Sequence, residues 1–470
     1  MRVAARHLLA LLVSASAAAA DPLSVDPGLK PGAPVDPHRP PAQELVTSAS
    51  PTLAVAAVGS LVLDGPDAPL PPLDPAVRAI LRGVDRPGGQ TVGIGALQTT
   101  IIDLKAMKAF PYPWNDAPVP RVSPGAAAAL REDGFGALLL AGPHALDWGI
   151  EGMRATGAAL DAAGIARAGT GNTAGIARHA QYYDDPAGGG RVAIVSAAAT
   201  FRPTSDALDQ NGAAPGRPGV AGLEVVPVRL VSPEQRDTVQ AVACRFSYPG
   251  VPGACSHLTP AAEVATLGST FRVGDAPPLY GTTTYQLNDR AADALLRDIR
   301  EGKQSADLLV TGIYSAEVED ARVADPPPPA FLVSLAHAAV ESGADMVVGT
   351  GRPVLGPIEI YAPPHGRPRP IFYGLGDFAW SPSVAPSEHP IDSAIVRSVV
   401  DGAAVAVEIF PLDLAAHNGW PILADRGRAT AILQHLQAIS RPYGTTIAIV
   451  PSGDTVLGRI AVGDRSGGPK

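Results

Sequence analysis

Apolar runs alternate with helical patterns along most of the chain, and this alternation constrains the fold more than any other feature. The run Thr52–Leu63 (TLAVAAVGSLVL) is apolar at nearly every position, which is typical of a strand buried on both faces. Similar runs recur at Gln90–Gln98 and Phe135–Gly142, and a helical pattern over Pro124–Asp133 separates them. Strands that alternate with helices predict an α/β domain with a largely parallel or mixed sheet.

The alternation also indicates how the chain is divided. Residues 204–285 interrupt it with Gly- and Pro-rich turns, and we interpret them as an insertion. The pattern then resumes, with strands in ADLLVTGIY and ADMVVGTG that are each preceded by a helical segment. We expect one α/β domain over residues 51–415 and a small C-terminal extension over residues 416–470.

The first 50 residues have the composition of a targeting segment followed by a linker. Arg2 and Arg6 precede a short apolar stretch, Leu8–Val13, and small residues continue to Ala20. This stretch is too short to cross ~30 Å of hydrocarbon, and no later segment is long and apolar enough to do so. We therefore expect a signal peptide over residues 1–20, a Pro-rich linker over residues 21–50, and an exported protein, periplasmic or extracellular, without a transmembrane segment.

The two cysteines, Cys244 and Cys255, flank a Gly- and Pro-rich loop (CRFSYPGVPGAC). In an oxidising compartment such a pair favours one local disulfide, and the alternative is two unpaired thiols. A metal site would need further ligands at matching spacing, and none is evident.

The charge of the chain argues against nucleic acid as a partner. Its formal net charge is −9, and its lysines and arginines form no cluster. Binding to nucleic acid or to an anionic membrane surface requires a basic patch, so neither is expected.

Polar residues stand where the predicted strands end. Ser60, Gln98, Tyr314 and Thr350 occupy such positions, and His144 lies in the loop after Phe135–Gly142. Ligand-binding loops of α/β folds lie beyond the carboxyl ends of the strands, so these residues outline a candidate site.

Several blocks of the chain resemble, in order, those of the CapA-type capsule-synthesis proteins, which are named for poly-gamma-glutamate capsule production. The similarity covers most of residues 52–415, and the tail also resembles that of some exported members. It implies a metallophosphatase-like (calcineurin-like) α/β sandwich that acts in capsule or exopolymer synthesis or export. The matching blocks are VGSLVLDG, VGIGALQTT, LLLAGPHALDWGIEGMRATGAALDAAGIARAGTG, ADLLVTGIYSAEVE, SGADMVVGTGRPVLGPIEIY and RPIFYGLGDFAWSP.

The resemblance also identifies substitutions in the expected metal site. Members of this family carry Asp, Glu, Asn and His at the strand ends, where two cations ~3.5–4 Å apart would generate a hydroxide nucleophile. Hydroxyl, amide and phenol groups are poorer ligands for such cations than carboxylate and imidazole. The corresponding positions here hold Ser60, Gln98, Gly142-Pro143 before His144, Tyr314 and Thr350-Gly351-Arg352, so His144 is the one retained metal-ligand candidate.

His144 and Asp147 are the candidate catalytic residues. Asp147 could hydrogen-bond the imidazole and fix its tautomer, or it could cap the helix that begins near Trp148. In the alternative interpretation, His144 is a turn residue bonded to local backbone.

Arg352, Gln98, Ser60, Tyr314 and Glu359 are the candidate ligand-binding residues. We hypothesise that Arg352, at the position of the missing histidines, supplies positive charge for a carboxylate or phosphate. The alternative is that Arg352 pairs with Glu359 or points to solvent.

The resemblance and the substitutions together predict a catalytically degenerate capsule-synthesis component that binds ligand or assists assembly. Its expected partners are an anionic polymer, such as polyglutamate, or other capsule-assembly proteins. No cofactor is expected. The alternative is an active metal-dependent hydrolase or phosphoesterase with a rearranged site, which would require a divalent metal.

Overall fold

The computed structural model describes residues 53–65, 69–86, 90–112, 119–186, 188–384, 391–401 and 404–462. The predicted signal peptide and Pro-rich linker lie outside the described residues.

The helices and strands of the described residues are as follows. The helices are α1 (Pro75–Arg82), α2 (Gly125–Asp133), α3 (Gly149–Ala162), α4 (Ala174–Arg178), α5 (Pro233–Ser247), α6 (Asp289–Lys303), α7 (Ala330–Glu341) and α8 (Arg426–Ser440). The strands are β1 (Leu53–Val62), β2 (Gln90–Leu97), β3 (Thr100–Ile101), β4 (Arg121–Val122), β5 (Phe135–Leu139), β6 (Ala166–Ala168), β7 (Thr170–Gly171), β8 (Gln181–Asp184), β9 (Arg191–Ala198), β10 (Gly219–Val220), β11 (Val225–Val231), β12 (Glu263–Thr266), β13 (Ser269–Val273), β14 (Thr283–Leu287), β15 (Leu308–Tyr314), β16 (Met346–Thr350), β17 (Ile358–Tyr361), β18 (Arg369–Phe372), β19 (Asp377–Trp380), β20 (Asp392–Asp401), β21 (Ala404–Asp413), β22 (Ile422–Leu423), β23 (Ala448–Ser452) and β24 (Thr455–Val462).

Two mixed sheets form the body of the fold. In the larger one the strand order is β23-β24-β21-β20-β1-β2-β5-β6, and β19 and β22 pair with β1 and β21. Its parallel strands are β1, β2, β5, β6 and β19. The second sheet has the order β17-β18-β16-β15-β9-β8, in which β9, β15, β16 and β18 are parallel. The alternation predicted from the sequence is thus an α/β architecture with mixed sheets.

The two sheets pack face to face, which explains the apolar character of both faces of the strands. Side chains of β1 alternate, so that Leu53, Val55 and Ala57 enter the core between the sheets. Ala56 and Val58 face the opposite way, into the core beneath α1, α2 and α3. Because each parallel strand is covered on both sides, it needs apolar residues at consecutive positions.

Helices cover the outer face of the second sheet as well. Leu295 and Ile299 of α6, together with Leu335 and Ala339 of α7, pack on that face in one cluster. The described elements therefore form four layers, helix, sheet, sheet and helix.

A small four-stranded sheet, with the order β12-β13-β11-β14, occupies residues 225–287 and carries α5. No residue of α5 is buried. The Cys244–Cys255 disulfide joins the end of α5 to the following loop, which confirms the predicted pairing.

The last described residues join the larger sheet, because β24 pairs with β21. Helix α8 adds Ile432, Leu433 and Leu436 to the core between the sheets. Within the described ranges, every helix is too short or too polar to cross a membrane.

Candidate functional site

The carboxyl ends of parallel strands from both sheets meet at one edge of the fold. The amide of Ala141, just after β5, donates to Ser196 Oγ of β9 at 3.3 Å. On the same edge, burial raises the pKa of Tyr314 at the end of β15, and the charge of Asp377 at the start of β19 raises it further. The strand-end positions that the sequence singled out are therefore next to one another in groups.

Ser60, Asp377 and Tyr314 form the first group. Ser60 pairs with Asp377 in the parallel ladder of β1 and β19, and its amide donates to the Gly376 carbonyl at 3.2 Å. Both Ser60 and Asp377 are buried. Burial raises the pKa of Tyr314, and the carboxylates of Asp377 and Glu317 raise it further. The side chain of Tyr314 is therefore a neutral phenol, which can donate one hydrogen bond.

Glu317 extends this group toward β9. Its carboxylate accepts hydrogen bonds from Thr200 Oγ1 at 2.8 Å and from Ser315 Oγ at 2.7 Å. The Thr200 hydroxyl in turn accepts from the Ala316 amide at 2.7 Å. This network fixes the backbone that follows β15.

Gln98 and Gly142 are sterically coupled. A Cβ at residue 142 would lie 2.3 Å from Gln98 Oε1, so only glycine leaves room for the amide as it stands. Gln98 is 1 % exposed, and neither its oxygen nor its nitrogen has a hydrogen-bond partner among the described residues. Because of this steric contact, the two positions depend on each other. Separately, a buried primary amide with both ends unpaired is costly.

His144 and Asp147 contact each other directly. They belong to a short 3₁₀ turn, Pro143–Leu146, and the residue that follows it. Asp147 Oδ2 lies 2.7 Å from His144 Nδ1. Because a carboxylate only accepts, Nδ1 carries the proton of this hydrogen bond, and Nε2 is the nitrogen that can accept a proton when the ring is neutral. The alternative helix-cap role for Asp147 is wrong, since the N-cap of α3 is Trp148, without a side-chain cap.

Arg202 joins His144 and Asp147, and these three residues form the second group of the site. Arg202 Nη2 lies 2.7 Å from Asp147 Oδ1, and both side chains are at most 4 % exposed. The guanidinium also lies 4.5 Å from the ring centre of Tyr112. Asp147 is therefore held between an imidazole and a guanidinium.

The structure does not bring Arg352 and Glu359 together. Arg352 Nη1 donates to the Pro326 carbonyl at 2.9 Å, and burial lowers the pKa of its guanidinium. Glu359 accepts from Tyr373 at 2.6 Å and lies 2.9 Å from His337 Nε2, beside α7 on the outer face of the second sheet. The alternative pairing of Arg352 with Glu359 is thus wrong, and Glu359 lies away from the strand ends because β17 is the antiparallel edge strand.

Arg202, Glu317 and Asp377 belong to these groups and were not selected from the sequence. Arg202 and Glu317 each follow the end of a strand by three or four residues, so the strand-end rule could have found them. Asp377 begins β19, so a rule that looks only beyond the ends of strands does not select it.

The donor set does not fit a two-cation centre. Two divalent ions need several carboxylates and imidazoles around them. Nowhere in the described ranges do three His, Cys, Asp or Glu side chains gather in a way that could hold a metal ion. The strand ends instead contribute the Ser60 hydroxyl, the Gln98 amide and the Tyr314 phenol.

Comparison with known proteins identifies the family of the chain. The model of the family described as bacterial capsule synthesis protein PGA_cap matches residues 89–381. Two proteins of Sinorhizobium fredii (strain NBRC 101917 / NGR234), the uncharacterized proteins y4sH and y4uA, are each 30 % identical over 406 residues, covering 76 % of this chain and 84 % of theirs. Apart from Ser60, the residues of both groups lie within the part of the chain that the family model matches. The chain therefore belongs to the family of bacterial capsule synthesis proteins.

Proposed function

We propose that this chain is an exported component of capsule or exopolymer synthesis, with a metallophosphatase-like fold, that binds an anionic polymer of the polyglutamate type without hydrolysing it. The α/β domain is proposed to span residues 51–415, with an insertion at about 204–285 and an extension over 416–470. The disulfide supports export, because such bonds persist in oxidising compartments.

One observation carries this proposal, namely the chemical nature of the strand-end side chains. A hydroxyl, an amide and a neutral phenol provide hydrogen bonds for a ligand, yet they do not supply the charge that holds two cations. His144 is the one candidate metal ligand retained at the family's metal positions, and its Nδ1 is occupied by Asp147. The family relation supports a role in capsule synthesis.

Metal content, turnover and polymer binding can be measured on the same mature protein. We expect substoichiometric metal by elemental analysis and no cleavage of a phosphodiester such as bis-p-nitrophenyl phosphate, with or without manganese. We expect titration calorimetry to detect binding of poly-gamma-glutamate and no binding of neutral dextran. Tightly bound metal together with manganese-dependent turnover would overturn the proposal in favour of the metal-dependent hydrolase.

The pairing of His144 with Asp147 supports a second candidate, a hydrolase that uses no metal. Asp147 leaves Nε2 of the imidazole as its basic edge, and the His144 side chain is partly exposed. An imidazole held in this way can act as a general base. Turnover without added metal that disappears in His144→Ala would favour this candidate, whereas equal rates in both proteins would exclude it.

A further inference from the structure

Arg202 is a buried cation whose hydrogen-bonding capacity is mostly unused. Its side chain is 4 % exposed, and Nη2 is paired with Asp147. Its Nε and Nη1 are buried and have no acceptor among the described residues. This contrasts with the buried Arg397, whose Nε, Nη1 and Nη2 all contact Asp85 or Glu408.

Unused donors on a buried guanidinium point to a missing acceptor. Leaving a buried donor without a partner costs free energy, and more when the group is charged. Native proteins satisfy nearly all such groups with protein, water or ligand. The contact of Arg202 with the Tyr112 ring stabilises the cation through its face and provides no acceptor in the guanidinium plane.

The charge of the surroundings favours a singly charged acceptor. Asp147 already compensates the charge of Arg202, and the neighbouring His144 is hydrogen-bonded to the same carboxylate. A carboxylate adds a single negative charge beside this compensated pair, whereas a phosphate dianion would leave more excess charge in a buried place. A carboxylate therefore suits this position better than a phosphate.

Tyr112 covers the guanidinium from a segment without regular secondary structure. Residues 108–112 form neither helix nor strand, and the Tyr112 amide donates to the Asp147 carbonyl at 2.6 Å. The side chain of Tyr112 is more than half exposed even though its ring lies over Arg202. The Tyr112 ring therefore separates one face of the guanidinium from solvent.

We infer that Arg202 is the anchor of a carboxylate-binding subsite, with Asp147 holding its guanidinium in place and Tyr112 as its cover. The inference rests on the proposed function, since it names the residue that recognises the carboxylates of the polymer. It replaces Arg352, whose Nη1 is occupied by the Pro326 carbonyl, as the principal anion-binding residue.

Substitution of Arg202 tests this subsite directly. We expect Arg202→Met to weaken binding of poly-gamma-glutamate and of the small dicarboxylate glutarate by about 10- to 100-fold, the effect of losing charge-assisted hydrogen bonds. Arg202→Lys keeps a cation for Asp147 but lacks the separate Nε and Nη1 donors, so it should weaken binding by at least about 10-fold. If Arg202→Met does not fold, Arg202→Lys decides the matter.

Arg131 provides the matched control. It also stacks on a tyrosine, Tyr183, at 5.3 Å, and donates to that hydroxyl at 3.1 Å, but it lies at the amino end of β5. Arg131→Met should leave both affinities unchanged.

The outcomes separate the subsite from the proposed function. Polymer binding that is equal in wild type, Arg202→Met and Arg202→Lys would overturn the subsite and leave the function standing. Arg202-dependent binding of glutarate without polymer binding would support the subsite and overturn the function. Arg202-dependent binding of polyphosphate alone would overturn the carboxylate assignment, and a wild type that binds none of these probes would overturn both.

Discussion

At the scale of single residues, the site is made of pairs that are distant in sequence. Arg202 and Asp147 are 55 positions apart, and Gln98 and Gly142 are separated by 44. The spacing of His144 and Asp147 suggested their hydrogen bond, because three residues along one turn bring the side chains together. No comparable local signal joins Arg202 to Asp147, since their contact depends on how the loops after β5 and β9 pack.

The ion pair of Asp147 and Arg202 should dominate local stability. Asp147→Ala removes the counter-ion of a buried guanidinium, so we expect the free energy of unfolding to fall by about 3–5 kcal/mol in urea denaturation. The double variant Asp147→Ala with Arg202→Met should lose less than the sum of the two single losses. Strictly additive losses would show that the two side chains do not stabilise each other.

At the scale of elements, helices with one apolar face were predictable and the exposed helix was not. The helical pattern of Pro124–Asp133 corresponds to α2. The helical segment expected before ADLLVTGIY corresponds to α6. Helix α5 has no buried residue, so its sequence carries no strong apolar period. Its capping box, Ser232 with Gln235, was the signal that could have revealed it.

The disulfide should stabilise only the small sheet and α5. Closing a loop of this length contributes about 2–3 kcal/mol by the chain-entropy argument. In Cys244→Ser/Cys255→Ser, amides of α5 and the following loop should exchange hydrogen faster by mass spectrometry. Amides of β1 and β15 should not change, because α5 buries no side chain against the core. Faster exchange throughout the chain would contradict this local role.

At the scale of the whole molecule, the second sheet carries two phenols near its carboxyl end, Tyr373 in the core beneath α6 and α7 and Tyr314 at the end of β15. Burial raises the pKa of Tyr373, and the hydrogen bond and charge of Glu359 raise it further. Burial likewise raises the pKa of Tyr314, on the edge of the same sheet. These neutral phenols are part of the native packing, so the fold as a whole depends on their remaining protonated.

Stability should therefore decline in alkali. The unfolded chain releases phenolic protons above about pH 10, while the native chain retains them on Tyr373 and Tyr314. Stability from these groups is complete below about pH 10 and is lost as the pH rises toward their native pKa values, by up to about 1.4 kcal/mol per pH unit for each group. Urea midpoints between pH 8 and 11 measure this slope.

Two variants identify the groups responsible. Tyr373→Phe should flatten the alkaline slope, even if its stability at pH 8 is lower because Glu359 loses a donor. Tyr248→Phe, at an exposed position beside the disulfide loop, should leave the slope unchanged. An unchanged slope in Tyr373→Phe would show that this phenol is not a source of the alkaline loss.

The sequence by itself determined the family, the α/β alternation, the disulfide and the set of strand ends. Each of these depends on local pattern or on residue identity in order along the chain, and the family model and the structure confirm them. Only the tertiary structure decided which strand-end residues meet. It placed Arg202 against Asp147 and Asp377 beside Ser60, and it separated Arg352 from Glu359. The physical reason is that side-chain partners at a sheet edge are chosen by the path of the loops and by the packing of two sheets, neither of which leaves a periodic trace in the sequence.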